Sequence, residues 1–401
     1  MKLKDRLVAE GQQHIIPLLE QKEANSQLAM QLEALDWDVV HLWQHPEQIA
    51  GKGVVQPIEG LTLDDIRSQA ERFRQIGVSS IKRGQIGAVL LAGGQGTRLG
   101  SELPKGAYDI GVTKPVYIFE LLVTNLLKVC KQCKAYVPLF VMTSPQNDEY
   151  TKCFFARHNY FGYPSSYIRF FTQEMAPCVD FNGKLLLQGR DRLAMSPNGN
   201  GGWYSALVKA DVLRDFPDLE WLNVFGVDNV LQQIADPVFV GATVASGFNC
   251  GAKVVRKVDP HERVGVLCME NGHPSVVEYY ELTDEMANAT NADGKPSYCF
   301  GVTLNYLFRL QKLKETADKR MPVHVVKKKI SFTDEKGNLV TPKEENGYKF
   351  ETLLLDMVRM MESCLPFEVE REHEFAPVKD KTGVDSVESA RKLLQLNGVK
   401  L

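Results

Sequence analysis

The 401-residue sequence predicts an α/β protein built on a doubly wound, mixed sheet and preceded by an N-terminal helical segment. Three observations predict it. From about residue 81 onward, short apolar runs alternate with stretches of helical periodicity, the pattern of strands joined by crossover helices. The run at 88–92 is unbroken and apolar, long enough for a strand buried on both faces. It leads at once into Gly93, Gly94, Gly96 and Gly100, a turn rich in the one residue that tolerates positive φ and holds no ligand away.

Residues 1–80 show helical spacing in Leu3, Leu7, Ile15 and Leu18, and Thr62 with Asp65 forms a capping box that opens another helix. No chemistry is expected there. His41 and His45 lie four apart, but without a third ligand or an intervening glutamate they do not make a metal site. After the glycine turn, 116–129 reads as a helix, 137–143 as a strand and 148–158 as a helix, with further strands at 167–171 and 221–227. Residues 264–267 and 275–281 read as a hairpin turning at Asn271 and Gly272, which puts Glu278 and Tyr280 on one face and Tyr279 on the other. A last helix is expected at 387–396.

Apolar content of 44% and charged content of 24% are those of a globular protein, and a net charge of −3 gives no bulk attraction for nucleic acid or an anionic membrane surface. No apolar run approaches a membrane span, and the opening Met-Lys-Leu-Lys-Asp-Arg lacks a signal-peptide core. The eight cysteines are scattered, as expected for reduced thiols in a cytoplasm. Cys130 and Cys133 fall on a helical pattern with no second ligand pair nearby, so packing is their expected role.

A strand feeding a glycine-rich loop, with Arg98 inside it and Lys105 just after, reads as a nucleotide phosphate cradle, because backbone N–H groups can close on phosphate oxygens there. Two familiar cradles do not fit. A P-loop needs Gly-Lys-Ser/Thr, whereas Thr97 and Arg98 follow Gly96; the dinucleotide fingerprint needs a glycine at Leu99, and it arrives one residue late. Polar groups recur where strands should end. Gln173 could read a base edge, and residues 196–202 form a second glycine loop able to pass beneath a ring, though alone it reads as a turn. Asp228 ends an apolar strand, where a carboxylate can hold Mg²⁺ or serve as a cap. Glu278 and Tyr279 suit a sugar wall and an exposed sheet face equally, and Lys349 and Lys379 taken alone read as solvated.

The ordered set Leu-x-Gly-Gly-x-Gly-Thr-Arg-Leu-Gly, Pro-Lys-Gly, Pro-Asn-Gly-Asn-Gly-Gly, Val-Asp-Asn and Gly-x-Lys-x-Glu, between about 85 and 380, resembles the UDP-sugar pyrophosphorylases, and within them the UDP-N-acetylglucosamine pyrophosphorylase branch. The resemblance implies a Rossmann-like nucleotidyltransferase fold, with 81–380 as the catalytic domain between helical segments at 1–80 and 381–401. It implies that UTP and a sugar 1-phosphate give a UDP-sugar and pyrophosphate, with Mg²⁺. By position, Leu91, Ala92, Gly93, Gly94 and Gly96 would hold the nucleotide, with Arg98 against the triphosphate and Lys105 beside the departing phosphates. Gln173 and Gly199 would hold the uracil, Asp228 the Mg²⁺, and Asn200, Gly265, Glu278 and Tyr279 the sugar. Lys349 and Lys379 would meet the phosphates from the far side.

The pattern departs from the family at the sugar. Val302, in Cys299-Phe-Gly-Val302, stands where the family carries a sugar-contacting asparagine, and Leu353 and Leu355 replace two phenylalanines. N-acetylglucosamine 1-phosphate is the first expected substrate and glucose or galactose 1-phosphate the second. A non-catalytic nucleotide-sugar sensor is the rival from another class, and a nicotinamide-dependent oxidoreductase the distant third. Most of the small C-terminal β domain of longer relatives is not expected, and a monomer is favoured.

Overall fold

The computed structural model describes residues 2–20, 25–44 and 53–401, which fall into two compact units, each with a hydrophobic core of its own. The larger comprises Lys52–Gln173, Trp203–Arg320 and Leu355–Leu401; the smaller comprises Met1–Gly51, Glu174–Gly202 and Met321–Leu354.

The larger unit carries ten strands in one mixed sheet among the described residues: β1 (Val55–Gln56), β2 (Ile86–Leu91), β3 (Leu139–Thr143), β4 (Ile168–Thr172), β5 (Trp221–Gly226), β6 (Cys250–Arg256), β7 (Val266–Glu270), β8 (His273–Val277), β9 (Phe300–Arg309) and β10 (Cys364–Glu368). The order β4-β3-β2-β5 is all parallel, with Val89 opposite Phe140 on one side and Val224 on the other. Antiparallel β9 continues the sheet beyond β5. Every residue of β2, β3 and β5 is buried, which is why these strands read as almost wholly apolar runs, Asn223 and Thr143 being the polar exceptions. The chain winds outward from β2 through β3 to β4, then crosses back to place β5 on the other side of β2. Such a reversal of strand order, here at the carboxyl ends of β2 and β5, is where doubly wound sheets take their ligands.

Helix Leu63–Lys82 begins at the expected capping box, Asp65 accepting from the Thr62 N–H at 2.9 Å. It crosses helix Pro237–Ser246 backbone against backbone: a side chain on Gly77 would run into the Pro237 carbonyl, and one on Gly241 into that of Phe73. Cys130 and Cys133 lie buried on helix Ile118–Cys133, and burial pushes the Cys133 thiol up to about 11, so it stays protonated and packs. Of the histidine pair, His41 bonds the Glu10 carboxylate, and His45 lies outside the described residues.

The β7–β8 hairpin turns at Asn271 (φ +50°) and Gly272 (φ +79°), as their sequence requires. One expectation is corrected here: β8 stops at Val277, whose partner Val266 is the first residue of β7, so no ladder remains to extend it. Residues 278–281 turn instead, the Glu278 N–H donating to the Glu281 carboxylate and the Glu281 N–H to the Glu278 carbonyl, both at 2.9 Å. Strand alternation therefore does not sort Glu278, Tyr279 and Tyr280 onto faces.

In the smaller unit, short helices at Leu3–Ala9, Gln13–Ile15, Ile16–Leu19, Asn25–Glu33 and Trp37–His41 contribute Leu7, Ile15, Leu28, Leu32, Trp37 and Val40 to a core completed by Val179, Leu185, Leu193 and Phe350. Strand Gly347–Glu351 is central in a three-stranded antiparallel sheet between His324–Lys328 and Val179–Asp180. Met175–Pro177 pairs with Met195–Pro197, which leads into the second glycine loop.

Candidate active site

Beyond β2 the chain enters the glycine loop and doubles back on itself. The Gly96 N–H donates to the Leu103 carbonyl at 2.9 Å and the Lys105 N–H to that of Gly94 at 3.2 Å, so Lys105 is returned beside the start of the loop. Arg98 rides on the turn Thr97–Leu99, anchored by buried Leu99 and closed by Gly100 at φ +65°. Gly96 has spent its N–H within the loop, but those of Gly93, Gly94, Gln95, Thr97 and Arg98 have no protein acceptor among the described residues. A side chain on Gly94 would meet nothing within 4 Å. Unpaired donors under open space make a cradle for an anion.

Two strand ends complete this region. Gln173 follows β4, and a Cβ on Gly93 would lie 2.7 Å from its carboxamide, so the glycine lets Gln173 close over the loop. Asp228 follows β5, with Oδ1 2.9 Å from where a Cβ on Gly226 would stand. Its carboxylate takes no hydrogen bond among the described residues. Burial pushes the Lys105 ammonium below its usual range; Asp228 and Asp380 pull it back up, and Arg98 and Lys379 push it further down. Arg98, Lys105, Asp228 and Lys379 thus share one electrostatic neighbourhood.

Lys379 arrives there because residues 376–378 are zipped onto 228–230: Val378 N–H donates to the Asp228 carbonyl at 2.9 Å and Val230 N–H to that of Ala376 at 3.2 Å. The Lys379 ammonium pairs with Asp385 at 2.9 Å. Beneath the zipper lies an ionic cluster that sequence reasoning missed. Lys253, with a side chain 1% exposed, reaches Glu374 at 2.6 Å and Asp236 at 3.3 Å. The Glu374 carbonyl accepts from Asn229 Nδ2 at 2.8 Å, tying the cluster to the residue next to Asp228. The available signal was a single charge within the apolar run of β6.

Two of the residues expected at the sugar, Gly265 and Glu278, also come together, beside Val302. Val302 N–H donates to the Gly265 carbonyl at 2.9 Å, and a Cβ on Gly265 would lie 3.5 Å from Val302 Cγ2 and 3.6 Å from Glu278 Oε2. Strand β9 then bulges before Tyr306, with Leu304 at φ +54° and its side chain 3.0 Å from the Cβ position on Gly226, beside Asp228. Tyr279 lies on the turn after β8, 42% exposed, its ring edge-on to Tyr280.

Gly199, Asn200 and Lys349 belong to the smaller unit. There the second glycine loop is laced to the residues following the Lys349 strand. Gly201 N–H donates to the Thr352 carbonyl at 2.9 Å, and Asn200 Oδ1 accepts from the Leu354 N–H at 2.9 Å. Gly199 adopts φ +86° with its Cβ position filled by the Thr352 carbonyl, so only glycine fits. Lys349 is half-buried near Cys178, whose thiol burial pushes up and whose shift the lysine charge tempers.

A parallel switch point bearing an open glycine cradle, cations and an unpaired carboxylate defines a nucleotidyltransferase-like protein. The chain belongs to the UTP–glucose-1-phosphate uridylyltransferase family, whose model matches residues 48–397. It is 39% identical over 341 residues to the Homo sapiens UDP-N-acetylhexosamine pyrophosphorylase-like protein 1, covering 82% of this chain and 66% of that one. It is 37% identical over 335 residues to the Saccharomyces cerevisiae UDP-N-acetylglucosamine pyrophosphorylase, covering 80% and 70% respectively. The chain therefore spans about two thirds of these relatives' length. The solved Trypanosoma brucei UDP-N-acetylglucosamine pyrophosphorylase, in complex with inhibitor, shares the fold at a TM-score of 0.82 and 28% identity, covering 98% of this chain and 84% of that one. The expected fold class and family are both borne out.

Proposed function

We propose that the chain is a uridylyltransferase that joins UTP to a hexose 1-phosphate, releasing pyrophosphate, with N-acetylglucosamine 1-phosphate the favoured acceptor. The observation that carries this reading is the gathering of Arg98, Lys105, Lys379 and Asp228 at the glycine loop of a chain whose relatives include UDP-N-acetylglucosamine pyrophosphorylases. An ionised oxygen of the sugar phosphate forms a bond to the α-phosphorus of UTP; the bond from that phosphorus to the bridging oxygen breaks, and its electron pair leaves with pyrophosphate. The nucleophile is already charged, so positioning and charge neutralisation do the work and no general base is needed.

In this reading Leu91, Ala92, Gly93, Gly94 and Gly96 hold the nucleotide, Gln173 and Gly199 the uracil, and Asn200, Gly265, Glu278 and Tyr279 the sugar, with Lys349 as a further phosphate cation and 81–380 as the catalytic domain. Asp228 is the residue for Mg²⁺. A single carboxylate, completed by phosphate oxygens and water, is the donor set this hard cation takes, and no group of three or more His, Cys, Asp or Glu among the described residues offers an all-protein cage. When bound, the ion supplies neutralisation of phosphate charge. None of the eight cysteines is joined in a disulfide, which suits a reducing cytoplasm, and no helix among the described residues is long and apolar enough to cross a membrane.

A second reading, glucose 1-phosphate as acceptor, is favoured by the apolar Val302 against Gly265 and Glu278, where an acetamido group would want a polar partner. Pyrophosphate release with UTP and each sugar phosphate in turn, N-acetylglucosamine, glucose and galactose, decides between them; none with any of the three would leave the sensor. Two further outcomes are expected. The kcat/KM profile should fall on its alkaline side at a pH below the ordinary lysine range, because the ammonium of Lys105 is the working form, and Lys105→Arg should move that limb upward. A limb indifferent to the substitution would remove Lys105 from the titration. Asn200→Asp keeps an acceptor for Leu354 and should keep the denaturation midpoint while raising the KM for sugar phosphate; Asn200→Ala should cost about 1 kcal/mol of stability as well. Equal midpoints in all three proteins would deny the tether any weight.

A further inference from the structure

We infer that Lys381 is a further phosphate-binding residue of this cradle, holding the terminal phosphates of the nucleoside triphosphate that depart as pyrophosphate; the inference rests on the uridylyltransferase reading. Lys381 lies two residues past Lys379, and its exposed side chain lies over the end of the glycine loop. A Cβ on Gly100 would lie 2.7 Å from its Nζ and 3.1 Å from its Cε. Gly100 closes the turn that carries Arg98, donating its N–H to the Thr97 carbonyl at 2.9 Å. The ammonium therefore rests on the end of the glycine loop.

Charge around the loop gives that position a use. Lys105 is tempered by Asp228 and Asp380, and Lys379 is paired with Asp385. Lys381 has no carboxylate within ion-pair reach among the described residues, so it adds uncompensated positive charge where a polyanion must be gathered. A lysine suits this place better than an arginine fork would. Its compact charge on a flexible stem can follow a phosphate group that has to leave, rather than fix it in one geometry.

The test uses the full chain with Lys381→Gln, Lys381→Ala and Lys381→Arg, titrated calorimetrically with inorganic pyrophosphate and assayed in both reaction directions. Affinity for pyrophosphate should fall about fivefold in the Gln and Ala variants, the size of a partly exposed ionic contact, and recover in Arg. The KM for UTP should rise in step, while the KM for the sugar phosphate and the denaturation midpoint stay put; a residue that merely braced the turn would shift the midpoint and spare pyrophosphate. Unchanged affinity in Lys381→Gln overturns the assignment, as does an unaltered protein that binds no pyrophosphate. If the unaltered chain turns over no sugar phosphate, yet Lys381→Gln still weakens pyrophosphate binding, the uridylyltransferase reading falls and the phosphate site stands.

Discussion

Lys105→Ala and Lys379→Ala should each leave the fold intact and lose a hundredfold or more in turnover. Neither side chain belongs to the core. Lys105 is half-buried on the return limb of the glycine loop, and Lys379 makes one ion pair, with Asp385, at a partly exposed position where such pairs contribute little to stability. In the reaction, both ammonium groups are asked to meet charge that moves from the α-phosphate toward the departing pyrophosphate. Removing one preorganised donor to developing charge costs on the order of 3 kcal/mol, roughly a hundredfold in rate. Steady-state kinetics beside a denaturation curve separate the two effects. Near-normal rates in both variants would sink the roles assigned to these lysines, whereas a collapsed denaturation curve would show that the loop needs them to fold.

The other large effect is on stability. Lys253→Ala should destabilise the protein by about 3–5 kcal/mol, because it strands the buried carboxylates of Glu374 and Asp236 without their counter-charge. Burial alone would push the Lys253 ammonium down, yet the two carboxylates outweigh it and hold it above its usual range. For Glu374, burial prevails and the carboxyl sits above its ordinary range despite the lysine. The double variant Lys253→Met, Glu374→Gln removes charge from both sides and should recover much of the loss, since apolar or neutral substitutes for a buried pair are well tolerated. Midpoints in guanidinium would settle it. A single variant as stable as the unaltered chain would mean that water reaches the cluster. Because the Glu374 carbonyl holds Asn229, next to Asp228, the single variant should also lose turnover, and the double variant should restore stability more fully than rate.

How far the site was legible follows from where its information is stored. The glycine cradle, the strand beneath it and the cations Arg98 and Lys105 beside it were readable because they occupy one continuous stretch. Asp228 was readable for a related reason: a carboxylate closing an apolar run marks a strand end, and strand ends in doubly wound sheets line the crevice. The turn at 278–281 was not readable as such. Its residues suit a strand, and what stops β8 is that β7 has already begun opposite Val277.

By itself, then, the sequence determined the α/β class, the order of most strands and helices, the capping of helix Leu63–Lys82 and the glycine loop after β2, all of them patterns held within a few consecutive residues. Only the tertiary structure decided that Gly265, Glu278 and Val302 share a corner, that Asn200 commits its oxygen to Leu354, that Lys253 is buried between two carboxylates, and that Lys381 lies on Gly100. Each of these is a meeting of residues far apart along the chain. Local periodicity states which face of an element is apolar; which distant side chain arrives opposite it is set by strand order and register, and these exist only once the sheet has formed.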